Sequence, residues 1–489
     1  MSWITRICYS CMASCAMLIA SLSLAAAERP NVVFVVVDDL GWTDLGSYGS
    51  TFYDTPNLDR LATRSIKFTQ AYAASPVCSP TRAALLTGRH PVRIGITDWI
   101  PGMPDDRATQ SQLRTPEDLH FLPLDEQTVS EIFQQAGYHT FFAGKWHLGE
   151  DPGFWPEAQG FHINKGGNGK GSPTFPGGNG YYAPYGNPSL EEGPPGEYLT
   201  DRLTEESIRF IASAAGAPFF LYLSFYTVHA PIQGCKTYDH RYLEKSHALP
   251  DSGKMQTVDE HHGKTRINQS DPLYAAMVRS MDENVGRLLE AIREHGLQEQ
   301  TIVIFTSDNG GLSTTSSGGP TSVLPLRAGK GWCYEGGIRI PLLIRYPGIS
   351  DPGMECHQPV ISMDLFPTLL ELASLELPEG VELDGRSLIP YLRHPGRIDN
   401  RTLIWHYPHY HGSTWRPGSA IRKQRWKLLE FYEDCTVELY DLSVDPGERN
   451  NLAPGNPMLA DSLRKELHRE LRDLGARYPE RRTNSVQPQ

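Results

Sequence analysis

The chain has 489 residues, 39% hydrophobic and 21% charged, a composition that excludes a disordered or collagen-like protein and is long enough for two or three domains. Its formal charge of −12 argues against nucleic acid or an anionic membrane as partner. Any anionic substrate has to be attracted locally.

In chain order, the first segment, MSWITRICYSCMASCAMLIASLSLAAAERP, has Arg6 as its only charge before Glu28, an apolar middle and alanines at 25–27. This pattern predicts an export leader over residues 1–27, too short and wrongly flanked to span a bilayer. The expectation is therefore an exported protein, periplasmic or secreted, with no stable membrane insertion. Cys8, Cys11 and Cys15 leave with the leader, and Cys78, Cys235, Cys333, Cys356 and Cys435 remain. An odd number in an oxidising compartment leaves at least one cysteine free or modified and allows up to two disulfides.

Residues 32–37, VVFVVV, form a continuous apolar run suited to a strand buried on both faces of a parallel sheet, with Asp38 and Asp39 at its C-terminal end. SPVCSPTRAALLTGRHP then places Cys78 and Arg82 at the mouth of an apolar helical pattern, and GKWHLGE supplies Lys145 and His147. Residues 166–198 are dense in Gly and Pro, which predicts a long irregular loop over the site. A second apolar run from Phe219 ends near His229. A third, from Thr301, ends in Asp308 and Asn309 and follows a helix-spaced series, Tyr274, Met277, Val278, Met281, Val285, Leu288, Leu289 and Ile292, stopped by Gly296. Helix-then-strand alternation predicts a three-layer αβα sandwich with a mostly parallel central sheet, whose ligands bind beyond the carboxyl ends of the strands. Past residues 383–401 the pattern shortens to antiparallel strands and an amphipathic helix at 458–474. The expected division is a catalytic α/β domain at 28–395 and a smaller C-terminal α+β subdomain at 396–489.

Asp38, Asp39, Asp308 and Asn309 are hard oxygen ligands at the ends of two strands. Gathering three carboxylates without a cation raises their pKa values and destabilises the fold, so Ca²⁺ or Mg²⁺ between the strand ends is expected. Lys145, Lys330, Arg82, His147 and His229 add a pocket for a tetrahedral oxyanion. Signatures of zinc peptidases, serine hydrolases and P-loop NTPases are absent from the sequence.

Cys-Ser-Pro-Thr-Arg followed by AALLTGR resembles the activation motif of the type I sulfatases of the alkaline phosphatase superfamily, Cys-x-Pro-x-Arg, although Thr81 stands where Ser or Ala is commoner. PNVVFVVVDDLGW, GKWHLG, VHAP, TSDNGG and KGWCYEGGIRIP are similar to that family's other motifs, in its order. The resemblance implies an alkaline-phosphatase-like fold and a Cys78 oxidised before folding to Cα-formylglycine (3-oxoalanine) by a dedicated maturation enzyme. It implies a metal, conventionally Ca²⁺, on Asp38, Asp39, Cys78, Asp308 and Asn309. Arg82 then anchors the aldehyde hydrate and Lys145 and Lys330 bind sulfate oxygens. His147 assists breakdown of the hemiacetal, and His229, helped by Lys330, protonates the leaving alcohol. A formylglycine-dependent phosphodiester or phosphonate-ester hydrolase, or a non-catalytic binder of sulfated glycans, is the alternative. GITDWIPG at 95–102 and IWHYPHYHG at 404–412 suggest a sugar rim, with Trp99 stacking on a pyranose and His409 and His411 bonding hydroxyls. They could equally seal the contact between subdomains. The chain also looks similar to bacterial exo-acting sulfatases that remove 4-O-sulfate from galactose or N-acetylgalactosamine.

Overall fold

The computed structural model describes residues 29–103, 111–214, 216–348, 352–377 and 379–482; the leader expected at 1–27 lies outside them. Strands β1 (Asn31–Val37), β2 (Ile66–Tyr72), β3 (His139–Gly144), β4 (Ile163–Lys165), β5 (Phe219–Phe225), β6 (Thr301–Ser307), β7 (Arg339–Arg345), β8 (Glu355–Cys356) and β9 (Val360–Ile361) make one sheet. Its order is β8-β2-β7-β6-β1-β5-β3-β4, with β9 also on β2. Strand β7 runs antiparallel to β6 and β2, and the other pairings are parallel.

The central strands β1, β5 and β6 are buried at every position because both faces of the sheet are covered. In β1, Val33, Val35 and Val37 enter one core with α2 (Leu199–Ser213) and α3 (Pro272–Glu294). Val32, Phe34 and Val36 enter the opposite core with α1 (Cys78–Thr87) and α4 (Leu365–Leu372). The expected αβα sandwich is thereby realised. Helix α3 buries Tyr274, Met277, Val278, Met281, Val285, Leu288 and Ile292 in its helix-spaced stripe, each worth about 1.5–3 kcal/mol of transfer free energy. Asp271 caps its start by accepting from Leu273 N and Tyr274 N, and Gly296 at φ 70° turns the chain away after it.

The C-terminal sheet is antiparallel and meanders in chain order, β10 (Thr402–Tyr407), β11 (Gly418–Lys423), β12 (Trp426–Phe431) and β13 (Thr436–Asp441). One face, with Trp405, Tyr407, Leu429 and Phe431, packs on Val77, Ala84, Trp332 and Tyr334 of the larger body. The other face, with Ile404, Ile421, Leu428 and Leu439, is covered by Ala460, Leu463, Leu467 and Leu471 of α5 (Pro457–Asp473). The first half of the IWHYPHYHG stretch is thus strand β10, and its aromatic run reflects cores on both faces. Cys78, Cys235, Cys333, Cys356 and Cys435 are all free, so the disulfides the cysteine count allowed are not formed. Among the described residues no helix is long and apolar enough to cross a membrane.

Candidate active site

Strands β1 and β6 pair in parallel with Val37 opposite Ser307, so Asp38-Asp39 and Asp308-Asn309 leave the sheet side by side. The exits are tied together: Asp39 N donates to Asp308 Oδ1 at 3.2 Å, and Leu40 N donates to Ser307 Oγ at 3.1 Å. Asp39 sits at φ 60°, a sparsely populated region for a residue with a side chain and one that recurs at functional sites. Ligand atoms of Asp38, Asp39, Cys78 and Asp308 lie within 4.8 Å of one another, all buried. Burial lifts Asp38 to about 8, the carboxylates of Asp308 and Asp39 adding to it and Lys145 opposing it. Asp39 is held below the usual range because Lys330 and His229 outweigh its burial. Asp308 is lowered too, its burial overcome by Arg82 and Lys145.

Asn309 supplies the test for a cation. Its Nδ2 donates to Asp39 Oδ1 at 2.8 Å and to Gly310 O at 3.0 Å, while its Oδ1 is buried without a hydrogen-bond partner. A buried amide oxygen left bare beside three carboxylates is a hard donor in want of a cation, and the set fits a divalent metal.

Cys78 is the first residue of α1, preceded by Val77 in extended conformation with no side-chain cap. The free N–H groups and the positive end of that helix therefore face the cluster. Its Sγ is 3.7 Å from Asp38 Oδ1 and 3.3 Å from Lys330 Nζ. Burial pushes the thiol up to about 12 against the pull of Lys145 and Lys330. One turn on, Arg82 donates from Nε to Asp308 Oδ2 at 2.8 Å, with Nη2 paired to the same oxygen at 2.7 Å. Its Nη1 reaches Lys145 O and Ser224 Oγ, both at 2.7 Å. Thr81 closes the turn before the helix, accepting from Ser75 N and donating to Ser75 O.

The cations arrive from neighbouring strand ends. Strand β3 leaves the sheet at Gly144, with φ 102° and an added Cβ 1.8 Å from Ser224 O, so only glycine permits the crossing that follows. The crossing carries Lys145 Nζ to 2.7 Å from Asp38 Oδ2, with no exposure of either side chain. His147, at φ 63°, donates from Nε2 to Ile100 O at 2.5 Å, and its buried Nδ1 has no hydrogen-bond partner. Burial and Lys145 keep this imidazole neutral, well below its usual pKa. Lys330 Nζ lies 2.5 Å from Asp39 Oδ1. His229 follows β5, with Nδ1 2.7 Å from Ala230 O and Nε2 3.9 Å from Asp39 Oδ2. Burial and Lys330 hold it down at about 3.

Asp38, Asp39, Cys78, Arg82, Lys145, His147, His229, Asp308, Asn309 and Lys330 therefore converge. The three rim residues divide. His411 adjoins the pocket: a Cβ on Gly331 would lie 2.1 Å from its Nδ1, and burial with Lys330 lowers it to about 3. His409 is buried, bonded through Nε2 to Thr97 Oγ1 at 2.8 Å, and Trp99 packs half-buried on the core beneath the C-terminal sheet. Sequence reasoning passed over Ser224, which accepts from Arg82 and donates to Lys145 O at 2.7 Å. The one small polar residue inside the apolar run FFLYLSF was its signal. Tyr181, whose hydroxyl reaches His229 O, had none.

Residues 30–375 match the family model described as Sulfatase, and residues 328–477 the one described as N-sulphoglucosamine sulphohydrolase, C-terminal. Arylsulfatase A of Homo sapiens is 36% identical over 482 residues, covering 90% of this chain and 86% of its own length. N-acetylgalactosamine-6-sulfatase of Rattus norvegicus is 34% identical, with 95% and 84% covered. The crystal structure of Ps i-CgsB in complex with k-i-k-neocarrahexaose is similar with a TM-score of 0.71 at 29% identity, over 91% of this chain and 93% of that one. The chain belongs to the sulfatase family of the alkaline-phosphatase-like superfamily and is a sulfuric ester hydrolase.

Proposed function

We propose that this sulfatase is an exported, exo-acting enzyme that removes sulfate from galactose or N-acetylgalactosamine units of a sulfated carbohydrate, with position 78 carried as formylglycine. The observation that carries the reading is a thiol pushed up to about 12 at the focus of Lys145, Lys330 and Arg82. Protonated at neutral pH, it is a poor nucleophile as cysteine, while an oxygen nucleophile at the same place faces a ready-made anion pocket. Its 2% exposure inside a fully buried helix favours conversion by a maturation enzyme before folding. The ligand set Asp38, Asp39, Asp308, Asn309 and residue 78 favours Ca²⁺ over Mg²⁺, which prefers to keep several waters.

Formylglycine hydrate and the cation together supply an activated oxygen for attack on sulfur and charge to offset the developing anion. The chain's own groups do the rest. Lys145 and Lys330 approach position 78 from Asp38 and Asp39 and hold the sulfate oxygens by charge-assisted hydrogen bonds. Arg82 fixes Asp308 and the carbonyl of Lys145. His229 donates from Nδ1 to Ala230 O, which leaves Nε2 for the leaving sugar oxygen. The ring, held neutral by burial and Lys330, takes up a proton once the bound sulfate offsets the lysine, and Nε2 passes that proton on. His147 Nδ1, free of other partners, takes the proton whose removal releases sulfate from position 78. Residues 28–395 form the catalytic part, and 396–489 wall the pocket through His411. The gene is expressed in a host with the maturation enzyme, and the peptide containing Cys78 is weighed. The protein is then assayed on 4-O- and 6-O-sulfated monosaccharides and on a phosphonate ester. Formylglycine with preferred sulfate-ester turnover is expected; unmodified thiol throughout, or faster phosphonate turnover, overturns the reading.

A further inference from the structure

Strand β5 ends at Phe225, and His229 lies four residues beyond it in irregular chain. One side of this segment is pinned to the exit of β1, where Val228 N donates to Asp38 O at 2.8 Å and Asp38 N donates to Thr227 O at 3.1 Å. On the other side stands Tyr181, fully buried. Its hydroxyl is shared between Tyr226 O at 2.6 Å and His229 O at 2.8 Å, across the turn closed by His229 N on Tyr226 O. The same Gly-rich loop sends Tyr198 OH to Gln233 O at 2.7 Å and Tyr182 OH to Gly234 O at 2.6 Å. Among the described residues the imidazole itself has only the neighbouring Ala230 O as hydrogen-bond partner and a 3.9 Å approach to Asp39. The backbone, not the ring's own contacts, therefore places Nε2.

We infer that Tyr181 is a positioning residue for protonation of the leaving oxygen, an inference that rests on His229 being the proton donor. As the oxygen at position 78 bonds to sulfur, the bond from sulfur to the sugar oxygen breaks. That oxygen keeps the electron pair and receives the proton from His229 Nε2. An alkoxide leaving group needs this proton and an acidic phenol hardly does, so misplacing Nε2 penalises the two unequally.

Tyr181→Phe keeps the ring and removes the hydroxyl. Its kcat is expected to fall about tenfold on a sulfated monosaccharide and less than about twofold on 4-nitrophenyl sulfate, at unchanged KM. An equal fall on both substrates, or none, overturns the inference. His229→Ala separates the two readings: if it lacks the leaving-group selectivity, the acid role fails and the inference with it. If it shows selectivity that Tyr181→Phe lacks, only the positioning role fails. Should Tyr181→Phe not fold, Tyr182→Phe, which frees Gly234 in the same segment, must show the selectivity at about twofold or more, and its absence overturns the inference equally.

Discussion

Asp308 and Asn309 are neighbours in sequence but differ in what a substitution would report. Asp308 is also the counter-ion of buried Arg82, and removing it strands a guanidinium at a cost of about 3–5 kcal/mol, so lost activity in Asp308→Ala mixes metal loss with misfolding. Asn309 Oδ1 has no hydrogen bond to lose, and Nδ2 gives up only those to Asp39 Oδ1 and Gly310 O, at about 0.5–1.5 kcal/mol each. Asn309→Ala is therefore expected to leave the protein folded and to weaken Ca²⁺ binding about tenfold or more, read by calorimetric titration into chelator-treated protein. Unchanged affinity would remove Asn309 from the ligand set. These residues were legible in the sequence because hard oxygens at the ends of buried apolar runs are costly without a purpose. Ser224 and Tyr181 were not legible as site residues. They act through hydroxyls on carbonyls that only the fold brings near, 79 and 48 positions away in the chain.

At the scale of elements, the exit of β3 decides whether Lys145 reaches its place. Gly144→Ala must find room for a Cβ 1.8 Å from the backbone oxygen Ser224 O, at φ 102°. Gly137→Ala, just before the same strand, has φ 83° and nothing within 4 Å. The first is expected to lose more than about 2 kcal/mol by urea denaturation and to raise KM for a sulfate ester. The second is expected to lose about 1 kcal/mol with KM unchanged. Equal losses would show that backbone strain alone, and not the crossing over β5, sets the requirement. The central strands and α3 could be read from sequence because their burial is either total or cleanly periodic. Strand β10 was hidden, since its buried run TLIWHY mixes Thr402 and His406 with aromatic and aliphatic residues and reads neither as a continuous apolar strand nor as an alternating one. The reversed direction of β7 leaves no trace in composition at all, being set by its pairing between β6 and β2.

Across the whole molecule, the catalytic body and the C-terminal sheet are joined behind the site by a buried charged group. Lys427 Nζ of β12 lies 3.0 Å from Glu335 Oε1 and 2.9 Å from Glu448 Oε1, with none of the three side chains exposed. Glu335 lies just before β7 and also accepts from Tyr72 OH at 2.7 Å, while Glu448 Oε2 accepts from Glu335 N at 2.6 Å. The same face of the sheet presses Trp405 onto the turn before Cys78, its Nε1 donating to Ala73 O at 2.8 Å, so loosening the sheet loosens the support of α1. Lys427→Met leaves two buried carboxyls to Arg339, 3.6 Å from Glu335, and is expected to cost about 3–5 kcal/mol. The loss depends on pH with a definite sign. Burial and Glu335 already raise Glu448 to about 7 against the pull of Lys427, whereas Lys427 and Arg339 hold Glu335 below its usual range despite its burial. Removing the lysine raises Glu448 further and lifts Glu335 as well. A group whose folded pKa exceeds its unfolded value of about 4.5 holds more protons folded than unfolded, so stability falls as pH rises through that window. Urea midpoints of the variant and the parent protein are thus expected to lie closest near pH 5 and to separate steadily towards pH 8. A separation that narrows with rising pH would mean that Lys427 is not the charge holding the two sheets together.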